Sequence, residues 1–489
     1  MAEVSRDDRM RDVELVDGDV PTYHGATRLH GNGRPGGGPG TTSQARRRWL
    51  TAAGLGLLLA VAVLADGIQD RGRAARLASL EGVLEPLDGS LREVWTQPGG
   101  WQHPAVHGPD LMVSLFPRGD AFRLVANDLV TGQQRWDVAL PDVHTFGAVS
   151  CLALGPEVAA PTGPSTHVAC RLAATASSAT RLLVLDAHTG ETVGERDLDD
   201  PFGTVTALGA DVALATVADD RRMEVRREDA LTGRVRWTTV SEHPLPGSVS
   251  RRLLHPPALK VEHGVVVVTG PTAIALSPTG ELLGEWPAEE LESAAGPVEV
   301  TVLADGRFVA GSTRADPDVP YGSVSGSDRR DGFAVDGPPL YLAVDDGSAP
   351  GTLLTAPGTG EIVALDARTG ETRWTAAATP LSGAVLLDHR LITTDGSDLI
   401  ALDVSTGERL WTAAGGVRAD HDLTVDGLLT DGDVVIVPTA DIRGPMLTAV
   451  DVVDGELRWT AAGPRDVVAY FEIGRRLIAL QPELMTRLG

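Results

Sequence analysis

Asp366-Ala367-Arg368-Thr369-Gly370-Glu371-Thr372-Arg373-Trp374 decides the architecture of this 489-residue chain, because it recurs. Relatives begin at Asp128, Asp229, Asp403 and Asp451, and each places a tryptophan eight residues on: Trp136, Trp237, Trp411 and Trp459. Aromatic residues are only 4% of the chain, so five coincidences at one spacing are not chance. A sixth copy, Asp186 to Gly190, keeps the turn and carries Gly194 in place of tryptophan. A seventh, Ser277-Pro278-Thr279-Gly280 with Trp286, is degraded and two residues longer. The local physics is a hairpin. Apolar runs such as Ile362-Val363-Ala364-Leu365 precede each Asp as strands buried on both faces. The Asp carboxylate accepts hydrogen bonds from amides two or three residues on, and Gly supplies the positive φ that closes the turn. The following strand ends in Trp, whose large area covers the seam to a neighbouring unit. Upstream lie two more strands, such as Ala384 to Leu387 and Arg390 to Thr393. Four short antiparallel strands in about 40–50 residues are the signature of a β-propeller blade.

The pattern A-x-D-x-x-T-G-x-x-x-W resembles the pyrroloquinoline-quinone (quinoprotein) propeller repeat, over roughly residues 90–489. The resemblance implies that Trp136, Trp237, Trp374, Trp411 and Trp459 dock between adjacent blades. It also implies a wide choice of functions: quinone-dependent dehydrogenases, non-catalytic assembly lipoproteins of the bacterial envelope, and extracytoplasmic sensor domains. An isolated last strand ends at Trp95, and three strands follow Val467 at the C-terminus. Joining Trp95 to the segment near Leu484 to Arg487 closes the ring with one split blade. The tryptophan ladder then predicts an all-β fold, an eight-bladed propeller of four-stranded antiparallel blades, with seven or nine blades as alternatives. The gap from Trp286 to Trp374 is twice the usual one. It is assigned to one blade with an inserted Asp-, Gly- and Ser-rich loop at 313–338, in preference to a ninth, degraded unit around Val298 to Ala310.

The domain plan is a disordered cytoplasmic tail at 1–48, a transmembrane helix at 49–68, a helical stalk or linker at 69–88 and the propeller at 89–489. Residues 1–48 lack an apolar period, so they cannot bury enough surface to offset their ordering entropy. Within them, Gly31-x-Gly33-x-x-Gly36 has no preceding strand and is a linker, not a dinucleotide fingerprint. Arg46-Arg47-Arg48 then meets an uncharged run from Trp49 to Ala65. As a helix the run spans about 26 Å, slightly under a hydrocarbon core of roughly 30 Å, and flanking residues to Ile68 extend it. The basic cluster places the N-terminus in the cytoplasm and the propeller outside, on a single-pass anchor in the plasma membrane. The competing reading is secretion after signal cleavage, with Ala60-Val61-Ala62 as a small-residue site and Arg46-Arg47-Arg48 resembling a twin-arginine signal. Leu77, Leu80, Leu84 and Leu87 mark a short amphipathic helix packed on the propeller.

A formal charge of −25 repels phosphate backbones, so no nucleic-acid partner is expected. Lys260 is the only lysine, which excludes a GxxxxGK[ST] loop. As the family is known, its quinone enzymes use adjacent cysteines, a tryptophan floor and a calcium ion. Here Cys151 and Cys170 are the only cysteines and are not adjacent. Lying in two strand-like segments of one blade, they form the disulfide candidate of an extracytoplasmic domain. The acidic run Asp316, Asp318, Asp328, Asp331 and Asp336 lacks calcium-loop spacing and reads as a solvated loop. The repeat residues Asp128, Asp186, Asp229, Asp366, Asp403 and Asp451 are turn formers rather than ligands. No catalytic residue, cofactor or metal site is expected. The function expected is a binding or scaffold module of the cell envelope, meeting a protein or envelope partner through face loops and the lipid bilayer through residues 49–68. The alternatives are a quinone-dependent dehydrogenase-like enzyme, or an envelope sensor signalling through the cytoplasmic tail.

Overall fold

The computed structural model describes residues 72–489 except 74, 99–105, 109, 119–120, 141–148, 156–164, 174–179, 199–202, 246–257, 288–296, 313–320, 327–331, 381–382, 397, 414–426 and 442–443. The tail at 1–48 and the apolar segment at 49–68 lie outside the described residues. No helix among those described is long and apolar enough to cross a membrane.

Nine antiparallel sheets follow one another along the chain as nine propeller blades. Blade 1 runs from Val106 to Leu140, blade 2 from Val149 to Leu198, blade 3 from Thr204 to Pro244 and blade 4 from Ala258 to Pro287. Blade 5 spans Val298 to Val335, blade 6 Thr352 to Ala377, blade 7 Ala384 to Thr412 and blade 8 Leu429 to Ala462. Blade 9 combines Ala469–Ile473, Arg476–Leu480 and Leu484–Leu488 with Glu93–Pro98 from the other end of the chain. The register there opposes Trp95 to Arg487, Thr96 to Thr486 and Gln97 to Met485. Middle strands such as Thr272–Leu276 and Phe308–Ser312 are buried throughout, as sheets stacked on both faces require.

The eight-blade count is therefore corrected to nine. The stretch at 313–338 is no simple insert: it carries Gly322–Ser325 and Phe333–Val335, the third and fourth strands of blade 5. Val298–Val302 and Phe308–Ser312 are its first two. Glycine hides these strands from a propensity reading, but packing demands it: a side chain at Gly322 would collide with the carbonyl of Ala310, and one at Gly311 with the ring of Tyr321.

Blade 6 has three full strands, and Pro339 bridges to Thr355 on its open edge. The next residues, Leu342–Asp345, add a fifth, parallel strand beside the first strand of blade 7. The N-terminal linker is helical only to residue 78 and then extends, so Leu80, Leu84 and Leu87 lie beyond the helix. Arg73 pairs with Asp388 (3.2 Å) and Asp433 on the first hairpin turns of blades 7 and 8. Val83 bridges to Thr430, and the Glu85 N–H donates to the Arg475 carbonyl at 2.7 Å. Leu77 and Val83 join one hydrophobic cluster with blades 7 and 8, and Leu84 joins another with blades 8 and 9.

Candidate functional site

The repeated turn is a hydrogen-bonded frame. Asp128 Oδ1 accepts from the N–H groups of Val130 (2.9 Å) and Thr131 (2.8 Å) and from the Thr131 hydroxyl (3.0 Å). Asp186 does the same with His188 and Thr189, and Asp229 with the amide and hydroxyl of Thr232. Asp366, Asp403 and Asp451 each bind the amides two and three residues on. The second carboxylate oxygen receives an arginine seven residues later: Arg135 on Asp128 (2.6 Å), Arg236 on Asp229 (2.8 Å), Arg373 on Asp366 (2.7 Å) and Arg458 on Asp451. These arginines, each just before the repeat tryptophan, are legible in the sequence once the turn's second oxygen needs a partner. Burial pushes the Asp128 carboxyl up, but the Arg135 and Thr131 bonds outweigh it and hold the group at about 2. In Asp366, the Arg373 bond leads and the result is again well below the usual carboxylate range.

The frame fixes what each turn shows. The residue after Asp is buried: Leu129, Ala187, Ala230, Ala367, Val404 and Val452. The next one is exposed and varies: Val130, His188, Leu231, Arg368, Ser405 and Val453.

The buried position is also the acceptor of the seam. The indole N–H of Trp95 donates to the Leu129 carbonyl (3.1 Å), Trp136 to Ala187 (2.9 Å), Trp374 to Val404 (2.8 Å) and Trp411 to Val452 (3.2 Å), each in the following blade. Trp237 reaches Pro278 at 3.0 Å in the degraded turn. Each ring lies on the turn glycine. A Cβ at Gly132, Gly190, Gly280, Gly407 or Gly455 would stand 2.5–2.7 Å from it. Trp459 lies against Gly89, where Asp88 Oδ1 accepts the Ser90 N–H and the linker imitates the missing turn of blade 9.

Three seams depart from the rule. In blade 4 the bulge register gives the tryptophan position to Gly284, opposite Ala275. Trp286, two residues on, folds its ring back over Gly284 and packs 5.2 Å from Phe308 of blade 5. In blade 2, Gly194 holds that position, and Arg196, again two residues on, lies against Gly233 and pairs with buried Glu228. In blade 5, Phe333 lies on Gly370. A tryptophan search passes over Arg196 and Phe333, because neither is tryptophan.

Cys151 and Cys170 face each other across the first two strands of blade 2, with Cα atoms 4.0 Å apart, and are disulfide-bonded. Among the described residues, one group of three side chains has metal-ligand atoms close together: Glu242, His243 and Glu285. Buried Glu285 already accepts the N–H groups of Glu242 (2.7 Å) and His243 (2.8 Å) and lies 3.1 Å from His243 Nδ1. Its carboxylate ties the last strand of blade 3 to that of blade 4.

Residues 121–287 and 337–475 match the family described as outer membrane protein assembly factor BamB, which is more than half of the chain. The chain belongs to that family. Its repeat is the PQQ-like propeller repeat. Among solved structures, BamB from Moraxella catarrhalis is 16% identical, with 81% of this chain and 99% of that one covered at a TM-score of 0.40. A europium-containing methanol dehydrogenase is 12% identical (81% and 86% covered, TM-score 0.40). The quinohemoprotein alcohol dehydrogenase from Comamonas testosteroni is 14% identical (83% and 78% covered, TM-score 0.40). No curated protein matches the chain.

Proposed function

We propose that the chain is a non-catalytic, membrane-anchored extracytoplasmic propeller that binds a protein partner through its turn face. The observation that carries this reading is the set of rigid turns, each holding one variable side chain outward. Three of these, Val130, Leu231 and Val453, are exposed hydrophobics. Loops held by a rigid scaffold are where binding resides. The family description, an assembly factor, fits a protein partner. Against quinone chemistry stands the cysteine arrangement: the only two cysteines are 19 residues apart and bonded to each other. A disulfide also suits an oxidising compartment outside the membrane.

The test is proximity labelling from the full chain in its native membrane, compared with Val130→Asp/Leu231→Asp/Val453→Asp. The variant should keep the melting temperature and lose most labelled partners. An unchanged partner set would remove the turn face from the account.

A further inference from the structure

Between the linker and blade 9 lies a cavity of about 660 Å³, within the usual range for small-molecule sites. Four of its lining residues are arginines, Arg92, Arg475, Arg476 and Arg487, and its acidic side chains are Glu85 and Asp88. The lining side chains thus carry two more positive than negative charges, in a chain whose formal charge is −25.

The arginines are held in place. Arg476 and Arg487 have side chains only 13% exposed, on neighbouring antiparallel strands. Arg487 Nη1 donates to the Val130 carbonyl at 2.6 Å, and Arg476 Nη1 donates to the Gly474 carbonyl. Arg475 occupies the hairpin turn at φ 68°, a conformation that non-glycine residues seldom adopt. Glu85 spans the pair, with one oxygen 3.4 Å from Arg476 and the other 3.6 Å from Arg487. Both distances exceed the roughly 2.7–2.9 Å of a charge-assisted hydrogen bond. Arg487 Nε and Arg475 Nη1 are buried and meet no acceptor among the described residues. Burial, then the neighbouring Arg476 charge, lower the Arg487 pKa, so the pair is held against electrostatic cost. Buried donors of a cation are expensive to leave without an acceptor, and a guanidinium fork matches phosphate oxygens in geometry.

We propose that this pocket binds a phosphate-bearing small molecule through Arg475, Arg476 and Arg487, displacing Glu85 from between the last two. The surplus positive charge of the lining side chains favours an anion. The site stands apart from the turn-face reading, because purified chain alone tests it and no protein partner is in the assay.

The probes are inorganic pyrophosphate, by calorimetry on the purified full chain at fixed ionic strength, and vesicles containing phosphatidic acid, by co-sedimentation. Saturable binding of pyrophosphate assigns a soluble ligand. Co-sedimentation with these vesicles in excess of that with phosphatidylcholine vesicles, which controls for the apolar segment at 49–68, and without pyrophosphate binding, assigns a lipid headgroup. Arg476→Gln/Arg487→Gln should weaken whichever binding is seen about tenfold or more. Glu85→Gln removes the competing carboxylate from a half-exposed position and should tighten binding about threefold. If the double variant lacks a cooperative melt, Arg92→Gln, an exposed lining residue, replaces it and should also weaken binding. Absence of binding to both probes overturns the proposal. So does binding unchanged by the arginine substitutions, or binding not tightened by Glu85→Gln.

Discussion

Trp411 and Gly455 show how one repeat residue constrains another. The ring lies where a Cβ on Gly455 would stand, 2.7 Å from the indole, and Gly455 has φ 72°. Trp411→Ala removes a buried aromatic and should cost about 3–5 kcal/mol. Trp411→Phe keeps most of the area and loses the bond to the Val452 carbonyl, so about 1 kcal/mol is expected. Gly455→Ala meets both the positive φ and the ring and should cost about 1–3 kcal/mol, although it adds only a methyl group. Urea midpoints of the three variants check this order, and a Gly455→Ala midpoint equal to wild type would contradict the seam geometry. The turn carboxylates add a pH dependence. Asp128 is held at about 2 in the fold, against about 3.9 in an unfolded chain. Its contribution is present above about pH 4 and is lost as pH falls toward 2. Asp186, Asp229, Asp366, Asp403 and Asp451 shift in the same direction. Stability should hold from pH 7 to 5 and fall steeply below 4. Asp128→Asn should be less stable than wild type at pH 7, and the difference should shrink toward pH 2.

At the scale of the element, the blades were legible to the degree that each repeats one local motif. The five complete copies announce turn and tryptophan together. Blade 5 does not, because its closing strand docks Phe333 and its third strand is Gly322-Ser323-Val324-Ser325, whose composition is that of a loop. Tertiary packing, not propensity, makes those residues a strand. Blades 2 and 4 keep the bulge of the regular blades, but glycine fills the tryptophan position and the docking side chain stands two residues further along. Of the candidate sites, the turns and cysteines were visible in the sequence. The arginine pocket was not, since Glu85 and Arg92 lie some 380 residues or more from Arg475, Arg476 and Arg487. The disulfide of blade 2 closes a loop with a separation of 19 residues. Cys170→Ser should destabilise the propeller by about 2–4 kcal/mol, read as a lower urea midpoint. A reductant should reproduce the loss in wild type and leave the variant unchanged.

For the whole molecule, nine seams form one cycle: Trp459 packs on the linker turn at Gly89, and Trp95 of the same blade packs on Gly132 of blade 1. No blade can be removed without exposing two docking positions, so the ends of the chain carry stability far out of proportion to their length. Deleting residues 482–489 removes the strand that pairs with Glu93–Pro98 and uncovers Trp95, and should cause aggregation or a much lower melting temperature. Deleting residues 1–45 should leave the melt unchanged. The most direct measurement is a cross-link at the closure. Thr96 and Thr486 are directly opposed, with their hydroxyl oxygens 3.1 Å apart. In Thr96→Cys/Thr486→Cys the two thiols should oxidise spontaneously, and peptide mapping should recover residues 96 and 486 in one disulfide-linked pair. A folded variant in which both new thiols stay free to react with maleimide would contradict the closed nine-bladed ring.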